Sequence, residues 1–346
     1  MAGYGPAGTG GTGGTGGTGG TGGSSGPEGS PVFATVIRPI GISPTRDHRN
    51  YWYPGVKWPP SDQFDPTAPD VILSSTLVYP DSAWDPSLFA IAVIGQFVQT
   101  KHTTAPTDWT QIAVPHWTDL LSTQGRTQKD EIVELVELID YRPDALQETL
   151  AQATDFVHYW GGMLMFNQQS HPWTFRVART AIAVGEFTMM HYKRRFSRPR
   201  PSQISPDLMP PIAVPPHASY PSGHSTQAWL LSRLLEQVLP SIVGTPAIPQ
   251  NPVTPPMTPT APAPAAQSLL YRLAERVARN REVMGLHYPS DTSAGQILAK
   301  GIFDILMDVQ GIPIPDAANP PASTSFMSMK DVINHARVDE WGLTAI

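Results

Sequence analysis

Apolar residues recur at helical spacing along most of the chain after residue 85. Asp85 and Pro86 form a typical helix start, and the apolar run behind them continues to Phe97. The same three- and four-residue spacing covers 132–139, 143–157, 171–192, 222–238, 267–284, 290–307 and 329–335. No convincing strand-like alternation interrupts these segments. The sequence therefore predicts an all-α protein that folds as a helical bundle.

The helix predicted around residues 132–139 has a clearly two-sided pattern. Ile132, Leu135, Val136 and Ile139 follow helical spacing, and glutamates occupy the other face. The apolar residues are therefore expected to form the packed side of this helix.

Two stretches have a composition that does not suit a folded core. Residues 1–30 are almost entirely Gly, Thr, Ser and Pro, and we expect a disordered tail. Residues 240–268 are crowded with Pro, Ala and Thr, which favours a semi-rigid, polyproline-like insertion between two helices, with a lid or a partner-binding strip as alternatives. Residues 31–84 are rich in Pro, Asp and aromatics, and we expect irregular chain on the core surface, with short strands left open. We predict a single helical domain over residues 31–346.

The composition narrows the class of protein. Of 346 residues, 40% are hydrophobic and 15% are charged, which is typical of a globular protein with a substantial core. The net charge of −6 does not suggest nucleic-acid binding. The absence of cysteine excludes disulfides, thiolate metal sites and cysteine nucleophiles. No apolar run reaches the length of about 20 residues that a membrane span needs. The sequence shows no export signal, so we expect a cytoplasmic protein.

A dense basic run follows the helix that is predicted to end near Tyr192. Five Lys or Arg residues fall between Lys193 and Arg200, in a chain that is acidic overall. Such a run occurs as a solvated patch at a helix C-terminus, where cations suit the helix dipole, and also as a nucleic-acid or nuclear-localisation patch. Because the chain has no global positive charge, a local cluster such as this one is what an anion site would need.

Small residues open the next helix, in the sequence His217-Ala-Ser-Tyr-Pro-Ser222-Gly223-His224. Backbone N–H groups at a helix N-terminus carry partial positive charge and bind anions. Gly223 allows an oxyanion to approach the backbone, and the Ser222 hydroxyl adds a donor. His224 is able to give or take a proton near neutral pH. An ordinary Ser N-cap produces the same pattern without any anion.

The third segment places Arg281 six residues before His287, and Asp291 four residues after it. Asp291 is well placed to bond one ring nitrogen of His287, which would fix the tautomer and make the other nitrogen a better nucleophile. Arg281 offers a planar fork for an oxyanion. Taken alone, the segment also fits a core His with a local Asp partner and a surface Arg.

In chain order the three segments read Lys-x6-Arg-Pro, Pro-Ser-Gly-His and Arg-x5-His-x3-Asp. This spacing resembles the three-part signature of the superfamily that joins type 2 phosphatidic acid phosphatases, bacterial class A acid phosphatases and vanadate-dependent haloperoxidases. The resemblance covers residues 170–300 and departs from the usual pattern at Asn280, where the family often has Ser. It implies a helical bundle. The matching positions are Lys193, Arg200, Pro201, Pro221, Ser222, Gly223, His224, Arg281, His287 and Asp291.

The resemblance to the phosphatases implies a pocket for a phosphate monoester. Lys193, Arg200 and Arg281 would bind its nonbridging oxygens. Ser222 and Gly223 would complete the cradle, as preorganised stabilisation of a transition state with charge on the equatorial oxygens.

The same resemblance implies covalent catalysis without a metal or another cofactor. His287 would attack phosphorus and form a phosphohistidine, while Asp291 orients the ring and stabilises its charge. His224 would protonate the leaving alkoxide and then activate water.

The resemblance to the haloperoxidases implies vanadate in this pocket, with His287 as its apical ligand and with halide and hydrogen peroxide as substrates. His217 would then favour a bromoperoxidase, because algal bromoperoxidases look to have His at this position and fungal chloroperoxidases an aromatic. A surface His, or one that lies behind the pocket, is the plainer interpretation. The compact matched core favours the phosphatases, and the absence of a visible export signal favours the haloperoxidases. We take phosphate-monoester hydrolysis as the prediction and the bromoperoxidase as its alternative.

A third hypothesis is a non-catalytic protein that recruits partners through the basic run and the Pro-rich strip. It is disfavoured because an inert relative would be expected to lose a charged pocket residue or a catalytic His, and none is missing. Helical surfaces in the superfamily often pair, so a homodimer stays open.

Overall fold

The regular elements of this chain form where its sequence carries capping residues and apolar spacing. The computed structural model describes residues 84–99, 108–239, 269–308 and 327–346. The α-helices in these ranges are α1 (Pro86–Gln99), α2 (Trp117–Thr123), α3 (Gln128–Glu137), α4 (Arg142–Thr154), α5 (Val157–Leu164), α6 (Pro172–Phe196), α7 (Pro201–Ile204), α8 (Gly223–Val238), α9 (Leu269–Val283), α10 (Pro289–Asp308) and α11 (Met329–His335). Short 3-10 turns lie at Trp109–Gln111, Ile139–Tyr141 and Pro206–Leu208, and a π-helical turn spans Ala336–Glu340.

The predicted all-α class is confirmed, since every regular element in the described ranges is helical. None of the helices in these ranges combines the length and the apolar character that crossing a membrane requires. The predictions for residues 1–30, for 31–83 and for the insertion at 240–268 lie outside the described residues, and the single-domain assignment stays a prediction.

Side-chain caps explain several helix starts. Asp85 Oδ1 accepts hydrogen bonds from the backbone N–H groups of Ser87 (2.8 Å) and Leu88 (3.2 Å), as the Asp-Pro pair predicts. Thr127 and Ser328 each form a capping box with an Asp three residues later, which fixes the first turns of α3 and α11.

Helix α8 lies at the centre of the fold. It packs against α6, α9 and α10, while α1 and α11 pack against α6. Nearly every side chain of α8 is buried, including polar ones, so its N-terminus and the residues that it carries are withdrawn from bulk water. The apolar core around it contains Val177, Ala181, Val184, Leu230, Leu231, Leu234, Val277, Leu298 and Ile302.

The helix predicted over 143–157 is in fact two helices. Asp155 leaves the helical conformation with φ −158° and ψ 125°, and its Oδ1 accepts a hydrogen bond from the backbone N–H of Val157 at 2.9 Å. This short side chain competes with the helix for backbone donors and starts α5 with Val157. In contrast, the helix predicted over 171–192 continues for one more turn, to Phe196.

The pattern at 132–139 predicts a packed apolar side and a solvated side with glutamates. In α3 this assignment of residues to the two sides is wrong. Leu135 is buried, but Val136 is 46% exposed, while Glu131 on the presumed polar side is 0% exposed. The carboxylate is tolerated there because it accepts hydrogen bonds from Arg198 and from the backbone N–H of Ser290. The ion pair with Arg198 thus buries a glutamate that the apolar periodicity places on the solvated side.

Candidate active site

The three sequence segments meet at the N-terminus of α8. Lys193 lies in the last turn of α6, Arg200 caps α7, and the loop from α9 into α10 carries His287. The backbone N–H of Ser222 donates to the carbonyl of Asp291 at 2.9 Å, which ties the start of α8 to the start of α10. The packing is so close that a Cβ on Gly295 would lie 2.9 Å from the Ser222 carbonyl oxygen.

His287 is held in one tautomer. Its Nδ1 lies 3.0 Å from Asp291 Oδ2, and its Nε2 lies 3.1 Å from a guanidinium nitrogen of Arg200. Since a guanidinium only donates, Nε2 carries the lone pair and Nδ1 carries the hydrogen. Burial lowers the pKa of His287 well below 6.5, and the charge of Arg200 lowers it further, so the ring is neutral. The predicted His–Asp pairing is thus present, and the lone pair of the outer nitrogen faces Arg200.

Asp291 is fully buried and remains charged. Burial would raise the pKa of its carboxyl, but the charge of Arg198 and hydrogen bonds from His287 and Ser219 hold it well below the usual range. Oδ1 accepts from Arg198 at 2.8 Å, and Oδ2 accepts from His287, from the Ser219 hydroxyl and from the backbone N–H of Tyr288. Asp291 is therefore a fixed anion behind His287.

Lys193 is enclosed by backbone oxygens. Its Nζ donates to the carbonyls of Ala218 (2.9 Å), Ser219 (2.8 Å) and Pro221 (2.7 Å), which is the full set of three donors. Burial and the neighbouring charge of Arg200 lower the pKa of Lys193. The ammonium therefore lies beside the loop that leads into α8.

Arg200 connects Lys193 to the His287 side of the site. Its Nε donates to the carbonyl of His217 and its Nη1 to the carbonyl of Leu286, both at 2.9 Å. Burial lowers its pKa to about 10, although Asp291 acts in the opposite direction. The contact of Nη1 with His287 places a positive charge directly at the nitrogen that would attack.

Arg281 and His224 both reach the C-terminal turn of α4. Arg281 Nη2 donates to the carbonyl of Thr149 at 2.9 Å, and His224 Nε2 lies 3.2 Å from the carbonyl of Gln152. A carbonyl only accepts, so His224 Nε2 carries a hydrogen. Burial lowers the pKa of Arg281 to about 9, and within the described residues its Nε has no hydrogen-bond partner. The two side chains thus lie together, on the α4 side of the site.

Ser222 acts as the N-cap of α8, as both interpretations of its sequence predict. Its Oγ accepts a hydrogen bond from the N–H of Ser225 at 3.4 Å. Gly223 and His224 are the first two residues of the helix, where the backbone N–H groups point out of the helix end. The helix start therefore offers donors to an oxyanion.

His217 adjoins the site from the side of Arg200. Its Nδ1 lies 3.0 Å from Arg200 Nη2, which donates, and 3.2 Å from the carbonyl oxygen of Ala218, which accepts, so the two contacts require opposite tautomers of the ring. Burial and the charges of Lys193 and Arg200 lower the pKa of His217 to about 4. His217 also lines an open cavity of about 680 Å³ together with Arg200, Gln203, Val214, Pro215 and Pro216. The cavity therefore lies on the Arg200 side of the site.

Three residues of this site were not singled out by sequence reasoning. Arg198 was visible only as part of the basic run, and Ser219 only as one small residue among several. Glu131 had no signal, because it lies outside residues 170–300 and on a helix whose glutamates resemble a solvated face. All three contact one another or Asp291.

The charge balance of the site is positive. Four cations, Lys193, Arg198, Arg200 and Arg281, are at most 2% exposed. Two buried carboxylates, Asp291 and Glu131, both pair with Arg198. Among the described residues, the other three cations have no ion-pair partner. Because unpaired buried charge is costly, this arrangement suits a bound anion.

No group of three or more His, Asp or Glu side chains in the described residues is arranged to hold a metal ion. Neither a scan against models of protein families nor a search of curated proteins found a match for this chain. The superfamily therefore stays a prediction from the three motifs and their spacing.

Proposed function

We propose that this chain hydrolyses phosphate monoesters through a phosphohistidine formed on His287. The observation that carries the proposal is the neutral His287, whose Nε2 lone pair adjoins a cluster of buried cations without carboxylate partners. A nucleophile normally needs a base or a fixed tautomer to act near neutral pH, and Asp291 supplies the latter. The excess positive charge supplies the counterpart for a phosphoryl group.

The chemistry follows from these groups in two steps. Nε2 of His287 forms a bond to phosphorus while the ester P–O bond breaks, and the leaving alkoxide takes a proton from His224. Water then gives a proton to His224 and attacks phosphorus, the P–N bond breaks, and phosphate and alcohol leave. To act as the acid, His224 would have to carry a proton on both ring nitrogens, and its Nε2–H would have to leave the Gln152 carbonyl to reach the leaving oxygen.

Binding of the phosphoryl group would use the groups that lack carboxylate partners. The orphaned Nε of Arg281 and the N–H groups that open α8 fit the nonbridging oxygens. Lys193 would keep its carbonyl contacts and act as a point charge, whereas Arg200 would exchange its contact with His287 for one with the phosphoryl oxygens. This exchange would free Nε2 of His287 at the moment of substrate binding.

The alternative is a vanadate-dependent bromoperoxidase, and the position of His217 supports it. The residues that fit phosphate also fit vanadate, because the orphaned Arg281 Nε and the unpaired cations make no distinction between the two oxyanions. His287 would be the protein ligand of vanadate, and Lys193, Arg200 and Arg281 would balance the charge of the vanadate. When bound, vanadate would supply the oxidation of halide by hydrogen peroxide. His217, bonded to Arg200, would tune the anion side of the site.

The proposal is tested by hydrolysis of p-nitrophenyl phosphate with wild-type protein, His287→Ala and the exposed control His158→Ala. We expect turnover by the wild type and the control, and none by His287→Ala. Alkaline quenching during turnover of a radiolabelled phosphate ester should trap label on the protein, since phosphohistidine survives base and is lost in acid. Full turnover by His287→Ala would overturn the site assignment.

Bromide oxidation separates the two candidates. Protein loaded with vanadate and supplied with hydrogen peroxide is compared with a vanadate-free sample. Robust turnover that depends on vanadate, with no hydrolysis of phosphate esters, would replace the phosphatase by the bromoperoxidase. Absent turnover with active ester hydrolysis would support the phosphatase.

A further inference from the structure

A buried line of charges lies behind Asp291 and is not part of the three motifs. Glu131 on α3 accepts a hydrogen bond from Arg198 Nη2 at 2.7 Å, and Arg198 Nη1 donates to Asp291 Oδ1 at 2.8 Å. All three side chains are 0% exposed. These charges therefore connect helix α3, which lies outside residues 170–300, to Asp291, the residue that orients His287.

The guanidinium of Arg198 is held through both of its terminal nitrogens, whereas its buried Nε has no hydrogen-bond partner among the described residues. Its Nη1 also donates to the hydroxyl of Ser290 at 2.7 Å. Its Cζ lies 3.7 Å from the ring centroid of Tyr288 and 5.4 Å from that of Trp117, so the planar group is stacked on two aromatics. Glu131 is fixed as well, because its second oxygen accepts from the backbone N–H of Ser290. Arg198 and Glu131 are thus each tied to two partners or more.

This fixed guanidinium determines which carboxylate oxygen faces His287. Arg198 takes Oδ1 of Asp291 and leaves Oδ2 for Nδ1 of His287. Lys193 and Arg200 also interact electrostatically with Asp291. A carboxylate without Arg198 would therefore be drawn towards these two cations. The His287 ring would then lose the partner that holds its hydrogen on Nδ1.

We propose that Glu131 and Arg198 are positioning residues for the reaction at His287: they hold the Asp291 carboxylate in the rotamer that presents Oδ2 to Nδ1. The inference rests on the proposed function, since a fixed Nδ1–H tautomer matters for a nucleophilic Nε2. Neither side chain is among the groups assigned to the substrate. Arg198 contacts Asp291 directly, and Glu131 reaches Asp291 through Arg198.

The test uses conservative variants with matched controls. Arg198→Lys keeps the positive charge but removes the planar guanidinium with its two terminal nitrogens. Glu131→Gln keeps the shape of the side chain but removes its negative charge. The controls are Arg195→Lys in the same basic run and Glu137→Gln on the same helix, both exposed. For Arg198→Lys and Glu131→Gln we expect kcat for p-nitrophenyl phosphate to fall by roughly 10–100-fold, as for other residues that orient a reacting group through a neighbour. The dissociation constant of inorganic phosphate, measured by calorimetry, should stay close to that of the wild type.

A second readout does not depend on activity. The ring nitrogens of His287 are observed by ¹⁵N NMR at one fixed pH, with the signals assigned by their loss in His287→Asn. The wild type and both controls should show a single Nδ1–H tautomer, whereas Arg198→Lys and Glu131→Gln should show a mixture. An unchanged tautomer together with unchanged kcat in these two variants would overturn the proposal. A parallel loss of phosphate affinity and kcat, with an unchanged tautomer, would also overturn it, in favour of a merely structural role.

A third variant covers a failure of the single variants to fold. Glu131→Leu combined with Arg198→Met replaces the ion pair by apolar groups of similar size, a change that proteins often accept without loss of stability. The folded double variant should show the mixed tautomer and the fall in kcat, and wild-type values for both would overturn the proposal. If the wild type hydrolyses no phosphate ester, the proposed function fails, while the tautomer comparison still decides whether Glu131 and Arg198 position the ring.

Discussion

Gly295 is the point at which α10 touches the start of α8, and Gly295→Ala is expected to disturb both stability and activity. A Cβ at this position would lie 2.7 Å from Ser225 Cβ and 2.9 Å from the carbonyl oxygen of Ser222. The second neighbour is backbone and has no rotamer to move into. Helix α10 would have to shift away from the turn that contains Ser222 and Gly223, and Asp291 would shift with it.

The size of the effect follows from two opposing terms. Overpacking of a tight core costs about 1–3 kcal/mol. Alanine is favoured over glycine within a helix by roughly 0.5–1 kcal/mol, which offsets part of this cost. Taking the middle of each range leaves a net loss of about 1 kcal/mol, which lowers Tm by roughly 2–4 °C in a domain of this size.

The exposed Gly95 in α1 is the matched control, since an added Cβ there meets nothing within 4 Å. Gly95→Ala should raise Tm by about 2–4 °C, because only the helix-propensity term acts. Thermal unfolding and p-nitrophenyl phosphate hydrolysis are measured for both variants. Gly295→Ala should also lose activity at a temperature where it is fully folded, and Gly95→Ala should keep it. A Tm for Gly295→Ala equal to or above the wild type would refute the close packing inferred here.

Orthovanadate is expected to compete with phosphate esters, because both anions need the same buried cations. Vanadate should therefore raise KM for the ester without changing kcat. Unchanged ester kinetics in excess vanadate would argue against a shared pocket. The contribution of His287 to stability should fall as the pH is lowered from about 6.5, whereas Glu186 and Glu282, whose pKa values are raised to about 7, act in the opposite direction. The folded state holds His287 neutral, since its pKa is depressed, and the unfolded chain takes up a proton that the native state does not. Denaturant midpoints above and below this pH should therefore differ less in His287→Asn than in the wild type. His217, with a pKa lowered to about 4, retains part of the dependence in the same window, so the variant should not abolish it.

The fold class and the helix positions were accessible from the sequence because capping residues and apolar spacing act locally. Asp85 and Ser328 cap their helices as short-range rules predict, and α11 has the predicted bounds of Met329–His335. The break at Asp155 was missed because a side-chain bond to the N–H of Val157 outweighs a continuous helical pattern. Spacing alone does not reveal which of two helical continuations the backbone takes.

The pairing of His287 with Asp291 was predictable because four residues separate them at the entrance to a helix. The position of Glu131 was not, since it depends on a contact with Arg198 across 67 residues of sequence. Local periodicity favours placing a glutamate on the solvated face, and only the tertiary fold brings it to a buried cation. The residues behind Asp291 were thus hidden, whereas the groups proposed to react carried a motif.

The carbonyl cage around Lys193 explains how a site with excess positive charge can exist before substrate binds. Three backbone oxygens solvate the ammonium in place of water, and further carbonyls, from His217, Leu286 and Thr149, receive the two other unpaired cations. Backbone dipoles stabilise these charges without cancelling them, so the cations remain available to an anion. Dipoles that are fixed by the fold need not reorganise during the reaction, which is the condition under which electrostatic stabilisation accelerates chemistry most. The same carbonyls that make the pocket stable would thus make it effective towards a phosphoryl group.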